Sequence, residues 1–495
     1  MSSRRTRLIA IVSAGLLALT GCTGESGNES TGSSSTPAEL DSFYDQEPVW
    51  GGCQSGPGEC AGVEVPVDYE EPDGLTLMLN VRRIPARGDS EGTLFFNPGG
   101  PGASGVQILP WWRRELSAKV RKRFDLVSFD TRGTAGSEGL RCVSSGTRQG
   151  FRTPDRTPDS KAEEQKLVGW YRQIGRACIE RAPDLTKNMS SADIARDLEV
   201  LRGVFGDDRM NYVGVSYGTV IGAHYADLFP DRVGRVVLDS AVDTARTPSE
   251  LVESDVRAHR MVLRAYLRDC VRQGCPLGST AQQAKARLQQ FLSSLDAKPL
   301  VVDGHAKLTE NHARDAIEYA LSSGDWPSLT KALRGALQGN AAALYKLAVG
   351  QYGVDPSRGP LSLEGRVTEC SDRGGRLDVD AIRELAADSR RVSPVFGQYF
   401  AWAQVPCGQW PVEAPSEPAD LDGAGADPIV VTGSRGDPIT PYENSAAVAE
   451  RLESAVLLTE RTYAHGTYPG TSRCIDARVD AYLVEGEVPD DGHEC

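Results

Sequence analysis

Several features are scarce or missing in this chain of 495 residues, and each absence excludes a class of structure or function. After the N-terminal region, no apolar run approaches the roughly 20 residues that a membrane-spanning helix needs. The sequence has no Cys-x-x-Cys pair, and its six histidines do not cluster near cysteines, so we expect no zinc, other metal or cofactor. Basic residues number 54 against 68 acidic ones, and the net charge of −14 argues against nucleic acid as a partner.

The N-terminus has the pattern of an export signal. Three arginines precede a short apolar stretch, 8–19, which ends in Leu19-Thr20-Gly21-Cys22. The stretch is too short to span a membrane as a stable helix. Its end resembles the lipobox of bacterial lipoproteins, in which the cysteine carries lipid and becomes the first residue of the mature chain. An ordinary cleaved signal peptide followed by an incidental cysteine is the alternative.

These features predict where the mature chain resides. We expect residues 1–21 to be a signal peptide and residues 22–45, rich in Ser, Gly and Thr, to contain a flexible tether. Lipid on Cys22 would hold the protein at the extracellular face of the cell membrane, and release to the medium is the alternative.

The cysteine content agrees with export. Ten of the eleven cysteines remain when Cys22 is set aside, and an even number in an exported chain favours disulfides over free thiols. Two pairs, Cys53 with Cys60 and Cys270 with Cys275, are close enough in sequence for local bridges.

Short apolar runs predict a mostly parallel β-sheet. Continuous runs, unlike alternating ones, suit strands covered on both faces, and helical patterns such as 191–205 lie between them. An antiparallel hairpin at 63–68 and 75–84 precedes the sheet, and from about 245 to 420 the pattern is mostly helical. The predicted strands are 92–97, 124–130, 210–215, 235–240, 428–434 and 455–461.

The local sequence Gly214-Val215-Ser216-Tyr217-Gly218 carries the strongest chemical signal. It follows the strand 210–215 and precedes a helical stretch at 219–229, which is the setting of a nucleophile elbow. Ser216 is therefore the predicted nucleophile. The predicted fold is an α/β-hydrolase core formed by residues 46–244 and 423–495, with an inserted helical cap at 245–422.

A serine nucleophile needs donors for the oxyanion. The glycine-rich sequence 97–102, NPGGPG, follows the strand 92–97, so the N–H groups of Gly99 and Gly100 can approach a substrate carbonyl. The second donor should be the N–H of Tyr217. A plain turn is the alternative interpretation of the glycine-rich sequence.

The acid and base should follow the serine in chain order. Asp437 lies just beyond the strand 428–434 and is the favoured acid, while Asp239 at the end of an earlier strand is a rival. His465 follows the strand 455–461 and stands in the position of the base. The remaining histidines, which lack this order and context, are His224, His259, His305, His312 and His493.

Together these motifs resemble one family. NPGGPG, FDTRGTAGS (129–137), GVSYGT (214–219), GDPITP (436–441) and AHG (464–466) are similar to those of the secreted actinobacterial tripeptidyl aminopeptidases, over about residues 48–495. That family is related to prolyl aminopeptidases. The resemblance implies an α/β-hydrolase fold and release of short peptides from free N-termini. It also implies three further disulfides, Cys142–Cys178, Cys370–Cys407 and Cys474–Cys495.

An aminopeptidase must bind a cationic α-amine. By resemblance, cap acids near Cys370 hold that amine, and Glu369 and Asp372 flank this cysteine. A solvated acidic turn is the alternative, because acidic side chains usually lie on the surface. Three functions are therefore open: an exopeptidase acting on peptide or protein N-termini, a carboxylesterase or lipase with the same triad, and a non-catalytic surface-binding lipoprotein. The intact triad argues against the last, and the glycine-rich loop with the large cap favours peptides.

Overall fold

A computed structural model describes residues 40–140, 142, 154–304, 306–350 and 363–495. The predicted signal peptide, the lipidation site Cys22 and most of the predicted tether lie outside the described residues. Among the described residues, no helix combines the length and the apolar character needed to cross a bilayer.

A ten-stranded sheet forms the centre of the fold, in the order β1-β2-β3-β5-β4-β6-β7-β10-β11-β12. In this order, the strands from β5 to β12 are parallel to one another, while β1, β2 and β3 pair antiparallel and β3 is also antiparallel to β5. Its strands are β1 Gly51–Gly52, β2 Glu59–Pro66, β3 Thr76–Ile84, β4 Thr93–Asn97, β5 Asp125–Phe129, β6 Met210–Val215, β7 Val233–Asp239, β10 Ile429–Ser434, β11 Ala455–Glu460 and β12 His493–Glu494.

Every strand predicted from the sequence is present, with ends that differ by a few residues. The central strands β4 and β10 are buried at every position, as their continuous apolar runs indicate. The antiparallel strand β3 alternates between buried and exposed residues over most of its length. The two-residue strands β1 and β12 were not predicted, because so short a segment has no periodicity.

Helices cover both faces of the sheet and form the cap. The N-cap of α6 is Ser190, which makes a capping box with Asp193. The helices are α1 Asp41–Tyr44, α2 Gly105–Glu115, α3 Ala118–Arg123, α4 Lys161–Arg181, α5 Pro183–Lys187, α6 Ser191–Val204, α7 Gly218–Leu228, α8 Pro248–Arg272, α9 Ala281–Ala297, α10 Glu310–Ser322, α11 Trp326–Leu337, α12 Ala342–Gly350, α13 Leu363–Asp372, α14 Val379–Val392, α15 Gly397–Trp402, α16 Val405–Gly408, α17 Tyr442–Arg451 and α18 Arg473–Glu485.

The segment between β7 and β10 builds its own apolar core. Helices α8 to α12 bury a cluster that includes Leu263, Leu288, Ile317 and Leu333. A small antiparallel pair, β8 Leu300–Asp303 and β9 Ala306–Leu308, adds to the predicted helices. The arrangement is that of an α/β-hydrolase with a helical cap, as the sequence predicts.

One segment of the predicted core packs instead against the cap. Helix α4 lies at 161–181, inside the range 46–244, yet Leu167 and Val168 of this helix join a cluster with Val252 and Ile382 of cap helices. The apolar stripe of an amphipathic helix shows that a face is buried, but not which neighbour buries it. The boundary of the cap in space therefore differs from its boundary in sequence.

The FDTRG motif has a structural role at the end of β5. The Arg132 side chain is fully buried and forms a two-pronged ion pair with Asp197 of α6, at 2.9 Å from Nε and 2.6 Å from Nη2. Arg132 also donates to the backbone carbonyls of Pro66, Val67 and Asn188. Removing one partner of such a buried pair costs about 3–5 kcal/mol, so this motif holds the β2–β3 connection to α6.

Five disulfides are present, and their pairing matches the prediction. The bridges Cys53–Cys60 and Cys270–Cys275 are local, as their spacing indicates. The three pairs implied by the family resemblance, Cys142–Cys178, Cys370–Cys407 and Cys474–Cys495, are also formed.

Candidate active site

Ser216 lies in a sharp turn between β6 and α7. Its φ of 57° falls in the left-handed region, which a residue with a side chain occupies at a cost of about 1–3 kcal/mol. The flanking glycines allow this turn, since a Cβ on Gly214 would lie 2.4 Å from the Gly218 carbonyl oxygen. A Cβ on Gly218 would lie 2.6 Å from the carbonyl oxygen of Asn97. The G-x-S-x-G spacing therefore reflects backbone contacts on both sides of the serine.

The turn is held by neighbouring elements. The Ser216 N–H donates to the Asp239 carbonyl at the end of β7, at 2.9 Å. Thr219 donates to the Ser216 carbonyl from its side chain at 2.6 Å and from its N–H at 3.0 Å. Ser216 thus stands at the N-terminal end of α7, where the helix dipole favours negative charge.

His465 and Asp437 meet at the carboxyl edge of the sheet. His465 Nδ1 lies 2.9 Å from Asp437 Oδ2, and the Asp437 side chain is fully buried. Asp437 also accepts the N–H groups of Ile439 and Thr440 at Oδ1. Burial of the imidazole lowers the pKa of His465, but the Asp437 carboxylate outweighs it and leaves this pKa above its usual value.

Thr440 adds a contact that the sequence did not predict. Its hydroxyl lies 3.0 Å from Asp437 Oδ2 and 3.2 Å from His465 Nδ1, so it touches both members of the pair. Together with the two N–H donors, it fixes the Asp437 carboxylate in one orientation.

Asp239, the alternative candidate for the acid, has a structural role. Its buried carboxylate accepts hydrogen bonds from the side chains of Thr432 and Thr467 and from the N–H groups of Thr467 and Tyr468. These partners tie the end of β7 to β10 and to the loop after His465. The structure therefore brings Asp437, and not Asp239, into contact with the imidazole.

The glycine-rich loop places one of its two predicted donors at the site and uses the other internally. The Gly99 N–H donates to the Asn97 side chain at 2.8 Å, which leaves it unable to serve an oxyanion. The N–H groups of Gly100 and Tyr217 have no hydrogen-bond partner among the described residues. The two segments are in contact, because a Cβ on Gly99 would lie 2.8 Å from the Tyr217 nitrogen. Gly100 and Tyr217 are thus the two available donors.

A cavity of about 650 Å³ separates the core from the cap. Ser216, His465 and Gly100 line its core wall. Cap residues from several helices line the opposite wall; among them are Asp255, His259, Glu318, Arg366, Glu369, Arg373 and Tyr399. Its volume lies within the roughly 300–1,000 Å³ range of small-ligand pockets.

The structure corrects the predicted amine-binding pair. Glu369 does line the cavity, but its carboxylate is paired with Arg366 at 2.5 Å and with Arg373. Burial raises the pKa of Glu369, and the two arginines more than reverse this, so that its pKa lies below the usual value. Asp372 is missing from the described residues that line the cavity; it accepts hydrogen bonds from Ser191 and Tyr217 of the core instead. Neither carboxylate is free for a substrate amine.

Two other cap acids face the cavity without a cationic partner. The Asp255 carboxylate on α8 makes no hydrogen bond or ion pair with another described residue. Glu318 on α10 accepts one hydrogen bond, from the Tyr399 hydroxyl at 2.8 Å, and its Oε1 lies 3.9 Å from His259 Nε2. Burial raises the pKa of Asp255 to about 8 and that of Glu318 to about 7.

A signal for these acids exists in the sequence but is easily missed. Asp255 lies on the apolar stripe of α8, between Val252, Val256 and His259, all buried. An acid on the buried stripe of an amphipathic helix is unusual enough to suggest a functional site. Glu318 on α10 is likewise three residues from the buried Asp315 and Leu321.

In the part of the chain that the structure describes, two clusters could offer three ligand atoms to a metal ion, and neither includes a cavity residue. One consists of Cys474, His493 and Cys495, whose sulfur atoms are joined in a disulfide. The other consists of Asp155, Asp296 and Glu310 in the cap. The catalytic groups that the structure brings to the cavity are Ser216 and His465, with Asp437 bonded to the imidazole.

The fold and this constellation define a serine hydrolase of the α/β-hydrolase class. Residues 393–495 match the model of a family described as TAP-like protein. The chain is 32% identical to serine protease Hip1 of Mycobacterium tuberculosis, over 88% of this chain and 87% of that protein. It is 30% identical to tripeptidyl aminopeptidase of Streptomyces lividans, over 87% of this chain and 82% of that protein. Carboxylesterase B of Mycobacterium tuberculosis is 31% identical, with coverages of 88% and 86%.

The chain belongs to the tripeptidyl aminopeptidase family of α/β-hydrolases, as its motifs indicate. It is a serine hydrolase, and the relatives' names cover both peptidases and an esterase.

Proposed function

We propose that this enzyme is an exopeptidase that releases short peptides, most simply tripeptides, from free N-termini through an acyl-enzyme. The observation that carries the proposal is the pair of cap carboxylates, Asp255 and Glu318, which share one cavity with Ser216 and His465. A catalytic serine on one wall and acids without an ion pair to lysine or arginine on the other suit a substrate with a cationic end and a scissile carbonyl.

The proposed reaction uses Ser216, His465 and Asp437 as a triad. His465 takes the Ser216 proton as Oγ attacks the scissile carbonyl, and Asp437 holds the imidazole tautomer and stabilises its cationic form. The oxyanion accepts hydrogen bonds from the Gly100 and Tyr217 N–H groups. His465 then protonates the leaving amine, and the acyl-enzyme remains. Water attacks that ester with the same base, which frees the short peptide and restores Ser216.

Asp255 and Glu318 would hold the α-amine of the substrate. An ammonium group entering their part of the cavity would form the direct ion pair that neither acid makes with an arginine, and it favours their ionised forms. Glu369 cannot take this role while Arg366 and Arg373 occupy its oxygens. The wall beside the amine thus selects free N-termini by charge.

The test compares kcat/KM for a tripeptidyl chromogenic substrate, its N-acetylated form and a short neutral ester. Acetylation removes the cation, and an interaction with a charged group contributes about 1.5–3 kcal/mol, so kcat/KM should fall about tenfold to a hundredfold. Asp255→Asn should abolish most of this discrimination and leave ester hydrolysis unchanged. Glu318→Gln should do so in part.

Glu253→Gln is the matched control. Glu253 lies on the same helix but is exposed, and it pairs with Arg257, so its loss should not change the discrimination. Equal rates on free and acetylated peptides would reject the exopeptidase proposal. Preference for the ester over both peptides would favour a carboxylesterase with the same triad.

We also propose that the mature chain begins at a lipidated Cys22 and lies at the extracellular face of the cell membrane. The lipobox-like sequence and the five disulfides support this location. Mass spectrometry of the mature N-terminus should find the mass of a lipid on Cys22. An unmodified mature chain that begins at another residue would contradict it.

A further inference from the structure

One cap helix, α13, contacts both segments that carry the proposed oxyanion donors. Near its start, Gly365 lies so close to the glycine-rich loop that a Cβ there would be 2.0 Å from the Pro101 carbonyl oxygen. At its end, Asp372 accepts the Tyr217 hydroxyl at 2.6 Å. Pro101 follows the donor Gly100, and Tyr217 is itself the second donor.

The Asp372 carboxylate links the cap to the core through specific hydrogen bonds. Its Oδ1 accepts the Ser191 N–H at 2.7 Å, and its Oδ2 accepts the Ser191 hydroxyl at 2.6 Å in addition to Tyr217. Ser191 is the first residue of α6, so one cap carboxylate joins the start of a core helix to the residue after the nucleophile. Hydrogen bonds to an ionised carboxylate are short and strong, which suits a fixed position.

The Gly365 contact depends on the absence of a side chain. Only glycine allows the helix backbone this close to the Pro101 carbonyl, and the same Cβ would also lie 3.4 Å from the Gly102 nitrogen. The loop is thereby confined between α13 on one side and the elbow on the other, where Gly99 approaches Tyr217.

We propose that α13 is a positioning element that sets the separation of the two oxyanion donors, with Asp372 acting through Tyr217 and Gly365 acting through the Gly100–Pro101 turn. Glu369, on the intervening turn of the same helix, faces the cavity. The helix that borders bound substrate therefore also fixes the groups that stabilise the transition state. The proposal rests on the assignment of Ser216 and of these donors, and not on the preference for free N-termini.

The first test is Tyr217→Phe, which removes the hydroxyl and keeps the ring. Losing an oxyanion donor lowers kcat by about 10²–10³-fold, and loosening one should cost less, about tenfold, on a small neutral ester with little change in KM. A small alkylboronic acid, which forms a tetrahedral adduct on the serine oxygen, should bind more weakly by a similar factor. The pH profile should keep the His465 pKa of the parent enzyme.

Tyr69→Phe is the matched control. The Tyr69 hydroxyl donates to the buried carboxylate of Asp197 at 2.8 Å, in a bond of the same kind that lies outside the cavity. Both variants should lose similar thermal stability, but only Tyr217→Phe should lose kcat and boronate affinity.

Gly365→Ala tests the other contact. Its methyl group must displace either α13 or the loop, so kcat on the ester should fall at least tenfold. Gly169→Ala on α4, where a Cβ meets nothing within 4 Å, is the control that should keep full activity. If Gly365→Ala fails to fold, Asp372→Asn is tested with the boronate assay instead. This variant weakens the hydrogen bonds from Ser191 and Tyr217 without adding volume.

The proposal would be overturned if Tyr217→Phe and Gly365→Ala both kept the kcat and the boronate affinity of the parent enzyme, whatever their stability. Where Asp372→Asn replaces Gly365→Ala, the same criterion applies to that variant. The exopeptidase proposal fails separately. The ratio of rates on free and acetylated peptides should be the same in Tyr217→Phe as in the parent enzyme, because the amine-binding acids are untouched.

Discussion

The core wall and the cap wall of the cavity differ in how their acids are satisfied. Asp437, which is buried and contacts His465 of the core wall, receives hydrogen bonds from two N–H groups, the Thr440 hydroxyl and His465. On the cap wall, Glu369 is paired with two arginines, but Asp255 receives no hydrogen bond from the described residues and Glu318 receives one. A satisfied acid is already organised for a fixed reaction, whereas an unsatisfied one keeps its capacity for a ligand. We therefore assign catalysis to the core wall and selection of the substrate to the cap wall.

The largest expected effect is the loss of the nucleophile on the core wall. Ser216→Ala should lower kcat by about 10⁴-fold or more on peptide and ester alike, because the triad acts as a unit. Thermal stability should not fall, since alanine can adopt the same turn. Near-parent activity in the purified variant would refute the assignment of Ser216.

The second prediction separates the two core acids. Asp437→Asn should lower kcat by about 10³–10⁴-fold, because an amide no longer selects the reactive imidazole tautomer. Asp239→Asn should keep most of kcat and lose stability, about 1–3 kcal/mol, since an amide NH₂ would face the donors of Thr432 and Thr467. Steady-state kinetics and thermal unfolding of both variants decide this. The reverse pattern would move the catalytic acid to β7.

The third prediction concerns the Thr440 hydroxyl. Thr440→Val should lower kcat about tenfold, because one bond to a charged pair contributes about 1.5–3 kcal/mol while the N–H donors to Asp437 remain. Thr330→Val is the control, since the Thr330 hydroxyl contacts Tyr266 in the cap and lies away from the cavity. An unchanged kcat in Thr440→Val would mean that the backbone donors alone orient Asp437.

The core wall could be predicted from the sequence for a physical reason. Ser216, Asp437 and His465 each follow a strand of one parallel sheet, and the carboxyl ends of such strands meet at a single edge. Recognition of the strands and their order therefore places the three residues together. The choice between Gly99 and Gly100 was not predictable, because it depends on whether the Asn97 side chain takes one of the N–H groups.

The cap wall could not be predicted in the same way. Asp255, Glu318 and Glu369 come from three helices far apart in sequence, and helix packing decides which of their faces meet. Glu369 was selected by its place beside Cys370, but that spacing carries no information about Arg366 and Arg373, which neutralise it. Asp372 lies on the same helix and turns toward Ser191 of the core. The apolar stripe of a helix shows that this face is buried, but it does not show which element covers it.

The smallest expected effect is a change in pH dependence that distinguishes the two walls. Hydrolysis of a neutral ester should fall as the pH drops through the raised pKa of His465, because the protonated imidazole cannot accept the serine proton. Peptides with a free amine meet a second requirement. Burial raises the pKa of Asp255 to about 8 and that of Glu318 to about 7, so both acids are increasingly protonated below those values and attract the amine less. Between pH 7 and pH 5, where an α-amine with a pKa of about 8 stays charged, kcat/KM for the free peptide should therefore fall a further few-fold relative to the ester. In Asp255→Asn that extra fall should shrink, while the ester profile should stay as it is. If the free peptide and the ester follow one profile in the parent enzyme, the cap acids do not bind the substrate amine as charged groups.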